Sequence, residues 1–241
     1  MGISNYIALS AQVATDRRMA TIANNIANMT TVGFKADAIR FEAIMKGVGQ
    51  DSAAYVDGGT TFLDRSQGGL NATGNDLDVA ISGDAWFAVE TPNGRVHTRD
   101  GRLRLRDDGS LVTLLDHPVL DPSGQPIQID PAAGPPTITP QGQILQNGLP
   151  VSGLGLFRLP EDATLTRAGN SGVTSDKPAE PVLDGRDVVV QQGYLEQSNV
   201  VPILEMTRMI MVQRTFEAAA KAVETAESTE TTAVRELGAT T

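Results

Sequence analysis

Few side chains in this sequence belong to the types that carry out chemistry. The 241 residues include no cysteine and two histidines, His97 and His117. The absence of cysteine excludes thiolate catalysis, disulfide bonds and zinc sites built on cysteine. The two histidines stand 20 residues apart and lack the close spacing of a metal-binding pair on one helix. We therefore expect neither a metal centre nor a catalytic base at these positions.

The other candidate groups for chemistry fit turns better than active sites. Ser152–Gly155 reads Ser-Gly-Leu-Gly. It lacks the nucleophile position of a hydrolase elbow and the third glycine of a dinucleotide-binding loop. Asp76, Asp78 and Asp84 do not have the spacing of an EF-hand loop. Many other carboxylates stand beside Gly, Pro or Ser, where we expect them to be solvated in turns, so a glycosidase pair is not indicated. We expect no catalytic residue, no cofactor and no small-molecule substrate.

Charge and composition exclude further classes of function. The formal net charge is −10 and aromatic residues make up 4% of the chain, which argues against binding a phosphate backbone or stacking on bases. No stretch approaches the roughly 20 apolar residues that a membrane span needs. The first 20 residues lack the basic start and apolar run of a secretory signal. We expect no nucleic acid partner and no membrane insertion.

The distribution of glycine and proline predicts the elements that must position any site. Of the 24 glycines, 22 lie between Gly33 and Gly193, and 12 of the 13 prolines lie between Pro92 and Pro181. Because these residues punctuate turns and interrupt helices, the pattern predicts two helical ends around a turn-rich middle.

The N-terminal segment, about 4–32, is predicted to be a helix. Its apolar stripe has spacings of 3, 4 and 3 and consists of Met19, Ile22, Ile26 and Met29. Gly33 suits the left-handed position that follows a helix, and Phe34 would then pack back on Met29.

The C-terminal segment, about 199–237, is predicted to be a longer helix. It carries a heptad seam made of Met209, Val212, Phe216, Ala219, Val223 and Ala226. An ordinary helix that faces the core would show the same stripe. Since both stripes lie outside the turn-rich body, we favour the interpretation that each helix has a partner beyond that body.

The middle of the chain is predicted to be β structure. Apolar runs such as Trp86–Thr91 and Leu103–Leu105 are separated by the turn signals Asn93-Gly94, Asp100-Gly101 and Asp108-Gly109. This spacing is typical of a mainly antiparallel sheet or small barrel.

Four stretches, in order along the chain, resemble signatures of the bacterial flagellar rod and hook family. They are Ile22–Lys35, Gly74–Phe87, Thr98–Gly101 with Asp108–Val112, and Gln192–Val200 with residues 209–217. Together they cover both ends and the first half of the middle. The start Leu9–Ala14 and the short connector before Gly74 are similar to the proximal-rod branch of the family.

The resemblance implies a structural, non-enzymatic subunit of the flagellar basal-body rod, which crosses the periplasm and transmits torque. The implied partners are copies of itself, other proximal and distal rod proteins, and the flagellar type III export apparatus, with export that removes no signal peptide. A distal-rod or hook-type axial subunit is one alternative. A cell-wall-cleaving domain carried on rod-type ends is another.

The predicted fold class is α+β. The terminal helices are expected to pair as a coiled-coil-like layer of the inner tube, and the middle to form a mainly antiparallel β domain. The predicted domains are 1–34 for the N-terminal helix, 35–73 for an extended connector, 74–191 for the β domain and 192–241 for the C-terminal helix.

Assembly contacts are predicted near both ends of the chain. Asn24, Asn25 and Asn28 stand three and four residues apart on one helix face, and such a ladder of amides is suited to fixing register between subunits. A solvated polar face is the alternative. The complete set of predicted assembly residues is Ile22, Asn24, Asn25, Ile26, Asn28, Thr31, Gly33, Phe34, Lys35, Asn199, Met209, Val212, Arg214, Phe216, Ala219 and Val223.

The seam of the C-terminal helix can be tested at its largest member. We expect Phe216→Ala to abolish motility while the β domain stays folded, because truncation removes a few kcal/mol of packing in every subunit. Thr215→Ala, one residue off the seam, should be mild. Swimming assays with circular dichroism of the purified variants check this, and the reverse pattern would show that the helix packs on another face.

Overall fold

The chain folds into two compact units. The computed structural model describes residues 2–40, 43–46, 53–56, 60–169, 171–182 and 187–238. The first unit contains the described residues within 1–27, 37–62 and 201–241, and the second contains those within 28–36 and 63–200. The boundaries of these units differ from the predicted domain boundaries. The predicted α+β class is confirmed.

Over its described residues, the first unit consists of two helices and four short strands. Helix α1 spans Gly2–Ala27 and helix α2 spans Pro202–Gly238. The strands are β1 (Asp37–Arg40), β2 (Ala43–Lys46), β3 (Ala53–Val56) and β4 (Thr60–Leu63), the last residue of which belongs to the second unit. Strand β1 pairs with β4, and β2 pairs antiparallel with β3. Helix α1 contacts α2, while a coiled-coil geometry for the pair stays a prediction.

Helix α1 ends earlier than predicted. Its last residue is Ala27, and residues 28–33 form turns in which the Thr31 amide donates to Asn28 O at 3.1 Å. The run Thr30-Thr31-Val32 is β-branched throughout, and such residues lose side-chain freedom in a helix. Gly33 does adopt a left-handed φ of +68°, but it stands six residues beyond the helix, so the predicted helix-capping role is wrong.

Helix α2 begins slightly later than predicted. Pro202 is its first residue, a position at which proline is tolerated because the first amides of a helix have no intrahelical partner. The predicted start at residue 199 is three residues too early. Asn199 and Val200 instead belong to the second unit.

The second unit is a β structure whose register-defined pairings are all antiparallel. Six strands form one sheet in the order β15-β16-β8-β7-β14-β17. The strands are β5 (Leu70–Ala72), β6 (Val79–Ser82), β7 (Trp86–Thr91), β8 (Gly94–Thr98), β9 (Leu103–Leu105), β10 (Leu111–Thr113), β11 (Thr137–Ile138), β12 (Gln143–Gln146), β13 (Leu149–Gly153), β14 (Leu156–Arg158), β15 (Leu165–Ala168), β16 (Gly172–Ser175), β17 (Glu180–Pro181), β18 (Val189–Gln192) and β19 (Tyr194–Glu196). The predicted mainly antiparallel middle fits this arrangement.

Turn chemistry and strand alternation account for the sheet. Asn147 and Gly148 join β12 to β13 with φ values of 52° and 78°, the left-handed pair that a tight hairpin turn requires. On β7, Phe87 and Val89 lie in the main apolar core, whereas Trp86 lies in a second cluster on the other face.

The predicted connector 35–73 is more structured than expected. Its described residues include β1 to β5, which are distributed over both units.

Over the described residues, neither helix carries an apolar stretch long enough to cross a bilayer.

The imidazole of His97 is buried in an apolar environment. It lies on β8, is 6% exposed, and packs edge-on against Phe157 with 5.9 Å between ring centroids. Within the described residues, neither ring nitrogen has a hydrogen-bond partner. Burial, with a smaller contribution from the charge of Arg95, lowers the pKa of His97 to about 4. The folded protein therefore favours the neutral imidazole.

This burial predicts a loss of stability in mild acid. Because the pKa of His97 is about 4 when folded and about 6.5 when unfolded, the unfolded chain binds the extra proton as the pH falls through this window. We expect a loss of about 2 kcal/mol between pH 7 and pH 5. Urea denaturation of the wild type and His97→Leu measures it, since the variant should lose that much less. His117→Gln is the control and should behave as the wild type. An equal loss in wild type and His97→Leu would contradict the prediction.

Candidate functional site

The N-terminal amides that we predicted to bridge subunits make contacts within the chain. Asn24 Nδ2 donates to Asp37 Oδ2 at 2.9 Å. Asn25 is buried and exchanges two hydrogen bonds with the backbone of Asp37, both at 2.9 Å. These contacts tie helix α1 to strand β1. Asp37 was not predicted as a site residue, and its place shortly after the Asn run was the available signal.

The remaining predicted residues near the end of α1 have smaller roles. Ile22 is buried and Ile26 is half-buried. In the second unit, Thr31 Oγ1 donates to Asn28 Oδ1 at 3.1 Å, which supports the turn that follows the helix.

The predicted seam of α2 is the less exposed side of the helix. Val212 is 5% exposed, and Met209, Phe216 and Ala219 are half-buried. By contrast, the side chain of Arg214 is exposed. The side chain of Val223 lies outside the part of the chain that the structure describes.

Helix α2 also has an exposed apolar face that sequence analysis did not single out. Ile203 is 72% exposed, Ile210 53% and Met211 54%. Ile203 and Ile210 are seven residues apart and point away from the seam. On the seam side, the carboxylate of Glu205 is instead buried and pairs with Arg208. The first three turns of α2 thus present bulky apolar side chains to solvent.

Two segments far apart in sequence meet in the second unit. We call residues 28–36 the leading segment and residues 193–200 the closing segment. Gly33 N donates to Glu196 O at 2.8 Å, and Asn199 N donates to Phe34 O at 3.3 Å. The predicted residues Gly33, Phe34 and Asn199 therefore do come together, although by contacts within one chain.

A charge cluster lies where these segments meet. It consists of Lys35, Arg99 and Glu196, which are 2%, 2% and 0% exposed. Glu196 Oε1 accepts from Lys35 Nζ at 2.6 Å, and Oε2 accepts from Arg99 at 3.0 Å. The Gly68 amide also donates to Oε1 at 2.9 Å.

Further donors of the two cations bind backbone oxygens, whereas Arg99 Nε has no hydrogen-bond partner within the described residues. Lys35 Nζ donates to Ser66 O at 2.7 Å, and Arg99 donates to Gly83 O at 2.7 Å. Burial lowers the pKa of Lys35 and the pKa of Arg99 below their usual values, and in both cases Glu196 opposes that effect through its charge and hydrogen bond. The cations are stable in this interior because one carboxylate serves both.

Phe34 and Asn199 complete the junction of the two segments. Phe34 is fully buried, with the guanidinium of Arg167 4.3 Å from its ring centroid, and Arg167 also donates to Lys35 O at 2.7 Å. Asn199 Oδ1 accepts from Ala36 N at 2.7 Å. The side chains of Arg167 and Asn199 therefore both make hydrogen bonds to backbone atoms.

Sequence analysis missed Arg99, Arg167 and Glu196 as members of a site. Arg99 and Glu196 stand inside the family signatures, and the signal for Glu196 was a single charge next to Leu195, a strand residue. Arg99 pairs with Glu196 across 97 residues, and Lys35 pairs with Glu196 across 161 residues. Only tertiary contacts bring these side chains together.

The described residues include a groove but no metal-binding cluster. Over those residues no cluster of three His, Asp or Glu side chains could hold a metal ion. A groove of about 750 Å³ in the second unit is lined by threonines and apolar side chains such as Val89 and Leu115. The charged groups of its lining, Asp100 and Arg102, pair with each other at 2.6 Å.

Comparison with known families matches both ends and the middle of the chain. The family described as "Flagella basal body rod protein" matches residues 6–35. "Flagellar hook protein FlgE/F/G D1 domain" matches residues 80–146, and "Flagellar basal body rod FlgEFG protein C-terminal" matches residues 191–236. The matched ends contain the leading and closing segments almost completely.

The chain is also similar to curated proteins over nearly its full length. "Flagellar basal-body rod protein FlgF" of Mesorhizobium japonicum is 47% identical and covers 98% of both chains. The protein of the same name from Rhizobium meliloti is 42% identical over 97% of both chains. "Flagellar basal-body rod protein FlgG" of Bacillus subtilis is 31% identical over 93% of this chain and 95% of that protein.

Gly33 can be tested against a glycine of similar conformation. A Cβ on Gly33 would lie 2.8 Å from Arg99 O and collide with Asp100 N, whereas a Cβ on Gly74, with φ of +72°, would meet nothing within 4 Å. Both Gly→Ala changes should cost about 1–2 kcal/mol for the left-handed backbone, and Gly33→Ala should cost about 1–3 kcal/mol more for the collision. Equal unfolding midpoints of the two variants in urea would contradict this.

Proposed function

The chain belongs to the bacterial flagellar basal-body rod protein family and is a structural subunit of the proximal rod, and from this premise we propose that it assembles through its two terminal helices. The expected partners are copies of itself and other proximal and distal rod proteins. The assembled product is the drive shaft that transmits torque across the periplasm.

The exposed apolar face of α2 carries this proposal. Ile203, Ile210 and Met211 are each more than half exposed, and together with Leu204 and Met206 they form a patch on the first three turns. A solvated patch of this kind usually marks an interaction surface. Burying one such side chain contributes about 1.5–3 kcal/mol, so a lattice of neighbouring subunits would stabilise each helix.

The seam side of α2 supports the same proposal. Helix α1 contacts α2 inside the first unit, and Val212 is buried there. We propose that this pair forms the coiled-coil-like layer of the inner tube, with Met209, Phe216 and Ala219 at its seam. Arg214, which is exposed, remains a candidate for contacts between subunits.

The enzymatic alternative has little support in the second unit. Glu196, a fully buried carboxylate, is engaged by two cations and an amide. A glycosidase would need a facing pair of carboxylates, one of them holding a proton. We therefore propose that the second unit, which we call the β unit, is a structural body without catalytic activity.

Export by the flagellar type III apparatus is part of the proposal. A subunit of a shaft that crosses the periplasm must be delivered beyond the inner membrane. Over the described residues, no helix is long and apolar enough to cross a membrane.

A pair of substitutions on the exposed face tests assembly through α2. In a strain that lacks the gene, we expect the double variant Ile203→Gln and Ile210→Gln to be non-motile and to lack complete rods in isolated basal bodies. The purified variant should keep the wild-type circular dichroism spectrum, because both side chains are exposed in the single subunit.

The matched control is Gln213→Ala, an exposed polar position on the same helix, which should swim normally. If the double variant swims like the wild type, this face is not an assembly surface. A density map of intact basal bodies that places the chain outside the proximal rod would overturn the proposal as a whole.

A further inference from the structure

The last residues of the second unit complete its strand pairing and its core. Strand β18 pairs with β6, and β19 pairs with β5. Val188 and Val190 contribute buried side chains to the main core. The β unit therefore lacks two strand partners and part of its core until residues 188–200 are in place.

The leading segment is bound to the closing segment rather than to its sequence neighbours alone. Besides the backbone bonds of Gly33 and Asn199, the Ala36 amide donates to Asn199 Oδ1 at 2.7 Å. The contact between Lys35 and Glu196 spans 161 residues. These bonds form only when the two ends of the unit are both present.

The charge cluster makes partial closure unfavourable. A buried cation without a partner is strongly destabilising, and breaking a buried pair costs several kcal/mol. Among the described residues, Glu196 is the carboxylate hydrogen-bonded to both Lys35 and Arg99. Asp64 adds a weaker attraction at Lys35, and Asp84 adds one at Arg99. Until Glu196 arrives, the site at which Lys35 and Arg99 are buried contains two like charges.

We propose that Lys35, Arg99 and Glu196 form a charge lock that makes folding of the whole β unit conditional on the closing segment. With Glu196 in place, the leading segment, the central β7–β8 hairpin and the closing segment fold as one cooperative unit. Without the carboxylate of Glu196, all three open together more often. This property belongs to the single subunit and goes beyond the proposed assembly.

The lock has a consequence for the order in which the chain folds. Glu196 lies near the end of the β unit, and α2 follows the closing segment. A chain delivered from its N-terminus therefore does not complete the β unit until residue 196 has emerged.

Trp86 provides a local reporter of the lock. It is the single tryptophan of the sequence. Its ring centroid lies 5.2 Å from the Arg99 guanidinium and 6.0 Å from Lys35 Nζ. Its fluorescence should therefore change when the two cations leave their places.

Native-state hydrogen exchange of the full chain tests the proposal. In Glu196→Gln, we expect protection of the leading segment, the closing segment and the β7–β8 hairpin to fall together by about 100-fold, because a buried pair is broken. Glu180→Gln, at an exposed position of β17, is the control and should keep wild-type protection. If protection falls only in the two terminal segments while the hairpin is unchanged, the lock is overturned.

A double variant keeps the test decisive if Glu196→Gln does not fold. Lys35→Met combined with Glu196→Gln restores the net charge of the cluster. We expect it to recover at least about tenfold in hairpin protection over Glu196→Gln, together with the Trp86 fluorescence of the folded state. A double variant no better than Glu196→Gln would show that Glu196 acts by shape alone, and that outcome also overturns the proposal.

Discussion

One buried carboxylate, that of Glu196, is the interaction on which the β unit depends. It compensates two buried cations from different parts of the sequence, Lys35 and Arg99, and it also accepts a backbone amide. In a low-dielectric interior each of these charges is unfavourable alone, so the three stabilise the fold only together. The segment that follows α1 and the segment that precedes α2 are joined for this reason.

The two units meet opposite physical requirements. The β unit has an extensive apolar core of its own, although Leu115 and Leu149 are exposed, and polar groups such as those of Asn199 and Arg167 make internal contacts. The first unit, which contains both helices, leaves Ile203 and Ile210 exposed. A structural subunit needs both properties, because a stable body carries load while an incomplete surface drives association.

Groups that look chemically capable in the sequence serve the architecture. The amides of Asn24 and Asn25 bind Asp37, and His97 is a neutral ring packed against Phe157. Such contacts resemble parts of active sites in residue type alone. What distinguishes them is that Asp37 engages both amides and that the imidazole is buried against an aromatic ring.

The sequence by itself determined the helical ends, the antiparallel middle and the family, because these follow from local turn chemistry, periodicity and contiguous motifs. It did not determine that α1 stops at Ala27, since the turn after it is held by contacts of the leading segment. Nor did it reveal the charge cluster or the exposed face of α2. Those depend on which residues meet across 161 positions and on which helix face is covered, and only tertiary packing decides either.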